Sequence, residues 1–272
     1  MSAAFAVDIA SRSEAGARTY NEDYLQHGEL DTGWFAVLAD GAGGHSKGAV
    51  ASDLAVRIAT HELGHRSGLN ALQPNDLGDV VRSAHEALNR QQLGLQGRQR
   101  MHATLVLLWI DRSQQHALWS HAGDSRLYVL RQGRIAHATR DDSVVQSMVN
   151  AGLLDEAQAR QHPQRHQLIA ALGSDEPIEP HCCETALALQ DGDAFLLCSD
   201  GWYDLLESSD IESTLSCARS ADDWLAAMQQ CVLARQRPDQ DNFSAIAVWV
   251  GSPAEVTRIR TSQISHPTHP LP

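Results

Sequence analysis

The chain has 272 residues, of which 43% are hydrophobic and 20% are charged, a balance typical of a globular protein with a substantial core. Its 34 acidic residues outnumber the 21 lysines and arginines, so the formal net charge is −13. This composition excludes disordered, collagenous and fibrous proteins, and so acidic a chain is poorly suited to binding nucleic acid through its phosphates. The excess of carboxylates is instead compatible with binding cations.

Short apolar runs rich in Val, Leu, Ile and Trp predict β-strands, and longer amphipathic stretches predict helices. In chain order we predict a strand at 34–39, helices at 49–63 and 77–93, strands at 104–110, 116–121, 127–130 and 194–198, a helix at 222–235 and a strand at 244–250. Short turns between the strands at 104–130 favour antiparallel hairpins, and the helices come in separate blocks. This order favours an α+β fold with layered antiparallel sheets over a βαβ series. We expect one folded domain at 1–251 and a flexible, proline-containing tail at 252–272.

Several features bear on the location of the protein. No apolar run reaches the roughly 20 residues of a membrane-spanning helix, and the N-terminal sequence MSAAFAVDIASRSEAG lacks the pattern of a secretory signal. The five cysteines are odd in number and have no CxxC spacing, which argues against a zinc site or a disulfide framework. We therefore expect a cytoplasmic protein without membrane contact, and a monomer because nothing indicates a large exposed apolar surface.

Four aspartates occur in similar surroundings, each in a polar turn next to a predicted strand: Asp40, Asp124, Asp200 and Asp241. Carboxylates at strand ends have a rigid support and can converge on a cleft, and Mg²⁺ and Mn²⁺ prefer oxygen ligands. Aspartate is also a common turn residue because it tolerates left-handed backbone geometry, and for any single one of the four we favour the turn interpretation. For the four together, spacing alone leaves turn formation and metal binding about equally supported.

The residues around these aspartates form a series of motifs in a fixed order. The series comprises RTYNED at 18–23, ADGAGGHSKGAVAS at 39–52, SHAGDSRLYVLRQG at 120–133, LLCSDGW at 196–202 and DQDN at 239–242. Together they closely resemble the metal-dependent type 2C serine/threonine protein phosphatases, the PPM family, from about residue 11 to residue 250. The stretch 139–173 resembles the flap subdomain of the bacterial branch.

The resemblance implies a sandwich of two antiparallel β-sheets flanked by α-helices, with two Mn²⁺ or Mg²⁺ ions in a cleft between the sheets. By position, Asp40 would bridge both ions, and the carbonyl of Gly41 would help to bind one of them. Asp200 and Asp241 would hold the other ion. A third, weaker ion would be bound by Asp124 together with Asp200.

Three further residues match family positions beside the metals. Glu22 and Asp23 correspond to acidic positions that fix metal-bound water or ligate directly. Arg18 corresponds to the arginine that grips the substrate phosphate, since its planar guanidinium matches two phosphate oxygens. The adjacent NED sequence favours this role over that of a solvated surface arginine.

The activity implied by the resemblance is hydrolysis of phosphoserine and phosphothreonine on proteins. A hydroxide bridging the two metals would attack phosphorus in line with the leaving oxygen, without a phosphoenzyme. The expected partners are phosphorylated proteins and an opposing serine/threonine kinase on a separate polypeptide, because we expect a free-standing catalytic domain. A phosphatase specialised for one small partner, such as an anti-sigma-factor antagonist, would use the same chemistry.

A regulatory binding module that keeps the fold without turnover is the alternative from another functional class. The presence of Asp40, Asp200 and Asp241 favours the enzyme. Two departures from the family pattern bear on this choice. Ala42 stands where bacterial relatives usually have methionine and eukaryotic members have a histidine proposed as general acid, so the proton donor to the leaving group stays unassigned. His102 and Ala103 replace part of a typical Gly-Thr-Thr segment, which concerns local packing more than the metals.

Overall fold

A computed structural model of the chain describes residues 5–42 and 46–251, so the predicted tail at 252–272 lies outside the described residues. The strands are β1 (Val7–Glu14), β2 (Asp23–Leu30), β3 (Gly33–Ala42), β4 (His102–Ala103), β5 (Leu105–Asp111), β6 (His116–Ala122), β7 (Arg126–Arg131), β8 (Arg134–Ala138), β9 (His181–Cys182), β10 (Leu187–Ala188), β11 (Ala194–Cys198) and β12 (Phe243–Val250). The helices are α1 (Ser46–Ser67), α2 (Pro74–Gln91), α3 (Val144–Asn150), α4 (Glu156–Gln161), α5 (Asp200–Tyr203), α6 (Ser208–Cys217) and α7 (Ala221–Ala234).

The strands form two sheets. Sheet A has the order β1-β12-β11-β7-β8, and sheet B has the order β10-β6-β5-β3-β2, with β4 beside β3 and β9 beside β6. All pairings between these strands are antiparallel. The hairpins expected from the short turns are present as β5–β6 and β7–β8, whereas β6 and β7 belong to different sheets. The loop 123–125 therefore crosses from sheet B to sheet A.

Sheet A lies between sheet B and a layer of helices. In β7, Leu127 and Val129 belong to a core cluster that also contains residues of sheet B. The intervening Tyr128 and Leu130 belong to a second cluster together with Trp224 of α7. Because successive side chains of a strand point to opposite faces, this alternation buries both faces of sheet A. Helices α1 and α2 contact sheet B through β3 and β6. The prediction of an α+β sandwich of two antiparallel sheets flanked by helices is confirmed.

The segment 139–173, predicted to be a flap, follows β8 and contains α3 and α4. Near its start Ser143 pairs with Leu168, and at its end Leu172 pairs with Ala103 of β4. The end of the segment therefore lies beside β4, and its bounds as a separate subdomain stay a prediction. Among residues 5–42 and 46–251, no helix combines the length and the apolar character that crossing a membrane requires.

Candidate metal centre

Carboxylates from both sheets meet at one end of the sandwich. In sheet B, Asp23 at the start of β2 pairs directly with Asp40 near the end of β3. In sheet A, β11 and β12 are antiparallel neighbours, and Asp200 follows β11 while Asp241 precedes β12. Asp124 lies in the loop that crosses between the sheets. Antiparallel pairing therefore brings residues that are far apart in the sequence to the same cleft.

The carboxylates of this cleft raise one another's pKa. Burial raises the pKa of Asp23 to about 7, and the charges of Asp200 and Asp241 act in the same direction. Burial, followed by the charges of Asp23, Asp200 and Asp124, places the pKa of Asp40 well above its usual value. Burial and the charge of Asp200 do the same to the pKa of Asp124. Like charges in a poorly solvated space disfavour ionisation, and a divalent cation among them would remove that repulsion.

The donor atoms at the site fit a hard divalent cation. The Oδ1 atom of Asp23 is buried and has no hydrogen-bond partner in the described part of the chain, whereas its Oδ2 accepts a hydrogen bond of 2.8 Å from Ser199 Oγ. Asp124, His166 and Asp200 each offer a ligand atom, and these atoms lie within 4.8 Å of one another. Carboxylate oxygens are the donors that Mg²⁺ and Mn²⁺ prefer. The residues present are thus able to hold such ions.

The backbone at Gly41 is packed too closely to accept a side chain. A Cβ atom on Gly41 would lie 2.0 Å from the carbonyl oxygen of Gly48 in α1. A Cβ atom on Gly48 would lie 2.5 Å from Glu22 Oε1. The Gly41 N–H donates to the Glu22 carbonyl at 3.0 Å, and Ser52 Oγ donates to the same carbonyl at 2.5 Å. These contacts fix Glu22 and Gly41 against each other at the edge of the cleft.

Arg18 lies at the mouth of the cleft. Its Nη2 donates a hydrogen bond of 2.8 Å to Asp241 Oδ2, and this contact raises the pKa of the guanidinium. The Arg18 side chain is 57% exposed, so its guanidinium is accessible to an anion from solvent. The structure therefore places all eight residues proposed from the sequence around one cleft: Arg18, Glu22, Asp23, Asp40, Gly41, Asp124, Asp200 and Asp241.

Two polar residues that sequence reasoning did not single out hold these groups in place. Thr104 Oγ1 accepts a hydrogen bond of 2.9 Å from the Asp40 N–H, and it lies 2.7 Å from the hydroxyl of Ser125, the residue after Asp124. The buried Asn242 accepts from the Glu22 N–H at 2.7 Å and donates to two backbone carbonyls of the Arg18 loop at 2.9 Å. Both side chains connect segments that carry the carboxylates.

His166, from the segment 139–173, is a third residue missed in the sequence. Its Nδ1 lies 2.9 Å from Asp200 Oδ2, and its Nε2 lies 3.4 Å from Asp204 Oδ2. The hydrogen bond to Asp200 raises the pKa of the imidazole. The chain has 14 histidines, and no local pattern distinguishes this one from the others. Only the folded position of the segment identifies it.

The two departures noted in the sequence are adjacent in the fold. Ala42 pairs with His102 in the ladder between β3 and β4, and Ala103 pairs with Gly41. The pairing is regular, and Ala103 also exchanges backbone hydrogen bonds with Leu172 at the end of the segment 139–173. The replaced residues therefore form an ordinary β-ladder beside the cleft.

Residues 11–240 match the family model described as protein phosphatase 2C. The serine/threonine protein phosphatase PstP of Mycobacterium tuberculosis is 32% identical over 241 residues, which cover 87% of this chain and 44% of that protein. The protein phosphatase PhpP of Streptococcus pneumoniae is 32% identical over 216 residues, covering 77% and 85% of the two chains. The crystal structure of the PstP catalytic domain with two manganese ions superposes with a TM-score of 0.74 at 27% identity, covering 91% and 100%. The chain spans less than half of the length of PstP.

Proposed function

This chain belongs to the protein phosphatase 2C family, and from that membership we propose that it is a metal-dependent phosphatase that hydrolyses phosphoserine and phosphothreonine on proteins. The observation that carries the proposal is the convergence of five aspartates from both sheets on one cleft, beside an exposed arginine. Buried carboxylates that raise one another's pKa destabilise a protein unless a ligand compensates them.

We propose that Asp40 is shared by two Mn²⁺ or Mg²⁺ ions, that the Gly41 carbonyl helps to hold one, and that Asp200 and Asp241 hold the other. A third, weaker ion would be held by Asp124 together with Asp200. The grouping of donor atoms around Asp124 and Asp200 supports this part of the proposal. When bound, such ions supply positive charge to the phosphate and lower the pKa of a water molecule.

The chain's own groups bind and orient the other reactants. Arg18 is proposed to bind two oxygens of the phosphate through its planar guanidinium, and its contact with Asp241 keeps it at the mouth of the cleft. The buried, unpartnered Oδ1 of Asp23 is suited to accept a hydrogen bond from water, with Glu22 as the second acidic group at this edge. Because water itself would be the nucleophile, no phosphoenzyme is required.

The substrates would be phosphorylated proteins, and a serine/threonine kinase would catalyse the opposing reaction. This part of the proposal is supported by the relatives, which are named as serine/threonine protein phosphatases. We further propose a cytoplasmic monomer. All five cysteines are free thiols, as expected in a reducing compartment.

The test is hydrolysis of p-nitrophenyl phosphate by the purified protein with Mn²⁺, with Mg²⁺ and with EDTA. We expect metal-dependent turnover that Asp40→Ala lowers by about a thousandfold or more, since the substitution removes a group shared by the metals. Glu86→Gln, at an exposed position of α2, is the control and should retain full activity. Absence of turnover from folded protein that binds Mn²⁺ would contradict the proposal and favour the binding module. Release of phosphate from phosphothreonine peptides then extends the test to protein substrates.

A further inference from the structure

A cavity of about 670 Å³ opens beside the carboxylate cleft. The residues that line it come from β7, α5 and α6 and from the helices α3 and α4 of the segment 139–173. The cavity and the cleft that contains Arg18 share four lining residues, namely Arg165, His166, Asp204 and Arg237. The two spaces are therefore continuous. The volume of the cavity falls in the range of ligand-binding pockets and is sufficient for side chains of a bound peptide.

Three of the arginines that line the cavity already have carboxylate partners. The pairs are Arg126 with Asp141 at 2.8 Å, Arg160 with Glu207 at 3.1 Å, and Arg165 with Asp204 at 3.5 Å. Arg126 also lies over the ring of Tyr203, 3.6 Å from its centroid. These pairs connect the segment 139–173 to the rest of the fold, and their charges are compensated within the protein.

Arg140 and Arg237 line the same cavity, are exposed, and have no ion-pair partner among the side chains that the structure describes. Among the arginines whose side chains the structure describes, Arg219 is the one other that is exposed and has no ion-pair partner, and it lies outside the cavity. Among the described acidic residues that line the cavity, Glu156 in the first turn of α4 is the one without an arginine partner. In a chain of net charge −13, the cavity thus presents more uncompensated positive than negative charge.

We propose that this cavity is a subsite for an acidic side chain of the phosphoprotein substrate, close in sequence to the phosphorylated residue, and that Arg237 and Arg140 bind its carboxylate. The inference rests on the proposed phosphatase function. Arg237 lines both spaces, and an extended peptide advances about 3.3–3.6 Å per residue. A peptide with its phosphate at Arg18 therefore carries its neighbouring residues past Arg237, whose planar guanidinium matches a carboxylate.

The test uses phosphothreonine peptides that carry Glu, Gln or a second phosphothreonine at each successive flanking position, assayed by phosphate release with Mn²⁺. At one or two neighbouring positions we expect kcat/KM to be about fivefold higher with Glu than with Gln, mainly through a lower KM. Arg237→Gln should reduce this Glu/Gln ratio to about one, and Arg140→Gln should also reduce it. Arg237→Lys should retain part of the ratio, because it keeps the charge and loses the planar fork.

Arg219→Gln is the matched control, since it removes the same charge from an exposed arginine outside the cavity, and its ratio should equal that of the wild type. A Glu/Gln ratio of about one at every position in the wild type would overturn the inference, as would an unchanged ratio in Arg237→Gln. A preference for the second phosphate without any preference for Glu would overturn the carboxylate assignment. Absence of p-nitrophenyl phosphate turnover in the wild type would instead contradict the phosphatase function, so the two failures are distinguishable.

Discussion

The two ends of the sandwich differ in how their buried aspartates are compensated. At the end away from the cleft, Asp193 accepts hydrogen bonds from Arg131 at 2.9 and 2.7 Å and from the Gln190 N–H at 2.8 Å. At the cleft end, Asp40 and Asp124 have raised pKa values because they are buried beside other carboxylates. The same strand, β11, connects the two environments, since Asp193 precedes it and Asp200 follows it.

This difference is invisible in the local sequence. Gly192-Asp193 and Asp40-Gly41 are both turn-like pairs next to an apolar strand, and either satisfies the rules for turn residues. What distinguishes them is the partner that folding supplies. A buried carboxylate compensated by the protein stabilises a turn, whereas buried carboxylates compensated only by a ligand mark a binding site.

The first expected effect is the response to metal. At a Mn²⁺ concentration about 100-fold above the dissociation constant, the free energy of unfolding of the wild type should rise by about 2.7 kcal/mol, because the ion binds the folded state alone. Asp200→Asn should reduce this rise strongly, because it removes a proposed ligand of one of the ions, and Asp193→Asn should retain it. The measurement is thermal denaturation with Mn²⁺ and with EDTA. An equal Mn²⁺ response in both variants would contradict the distinction between the two ends.

The second effect is the stability of the metal-free protein. Asp193→Asn should lower the free energy of unfolding by about 2 kcal/mol, because it leaves the Arg131 guanidinium without its carboxylate partner. Asp124→Asn should cause no loss, since burial and the charge of Asp200 already disfavour the ionised form of Asp124. Urea denaturation in EDTA measures both values, with the exposed Glu86→Gln as the control for a surface pair. A larger loss in Asp124→Asn than in Asp193→Asn would reverse the interpretation.

The third effect is a pH dependence that arises at the cleft end. The pKa of Asp23 is about 7 in the folded metal-free protein against an ordinary value of 3.8. As pH rises between these values the unfolded chain loses the proton first, so the free energy of unfolding falls with rising pH in that window. Relative to Asp23→Asn, the metal-free wild type should lose stability from about pH 4 to about pH 7, by less than about 1.4 kcal/mol per pH unit.

Denaturation in EDTA at several pH values measures this difference. Above about pH 8 the carboxyl is ionised in both states, so the difference should become constant. A wild type that gains stability relative to Asp23→Asn as pH rises to neutrality would show that the pKa of Asp23 is lowered by folding.

How much of the fold the sequence could predict depends on where each element lies. Strand β11 is apolar throughout and buried, and its bounds agree with the predicted 194–198. Strands β1 and β2 were missed because they lie at sheet edges, where their residues are mostly half-buried or exposed and give a weak apolar pattern. Helix α6 was missed because its serine-rich sequence buries only Ile211 and Leu215.

The residues of the candidate site also divide into those with a local sequence pattern and those without one. The aspartates and Arg18 could be proposed from the sequence because they lie in motifs that can be read along the chain. Thr104 and His166 act through partners that are distant in sequence, namely Asp40 and Asp200, so no local pattern marks them. Which arginines lack an ion-pair partner could not be predicted from the sequence either, because that depends on the folded positions of all the carboxylates.

The smallest expected effect concerns Thr104, which supports the cleft without belonging to the carboxylate cluster. Its hydroxyl accepts the Asp40 N–H and contacts Ser125 next to Asp124, so it positions two of the acidic segments. Thr104→Val keeps the shape and removes the hydroxyl, leaving the Asp40 N–H without its acceptor. We expect a loss of about 1 kcal/mol in the free energy of unfolding and Mn²⁺ binding weakened by about tenfold.

Isothermal titration calorimetry with Mn²⁺ and urea denaturation measure the two quantities for Thr104→Val. Thr104→Ser is the matched variant, since it keeps the hydroxyl and loses a methyl group, and it should bind Mn²⁺ nearly as the wild type does. Equal weakening of Mn²⁺ binding in both variants would contradict the role of the hydroxyl, because Thr104→Ser keeps the hydroxyl and Thr104→Val does not. Weakening in Thr104→Val alone would instead show that the hydrogen bond to the Asp40 backbone holds the carboxylates in their binding arrangement.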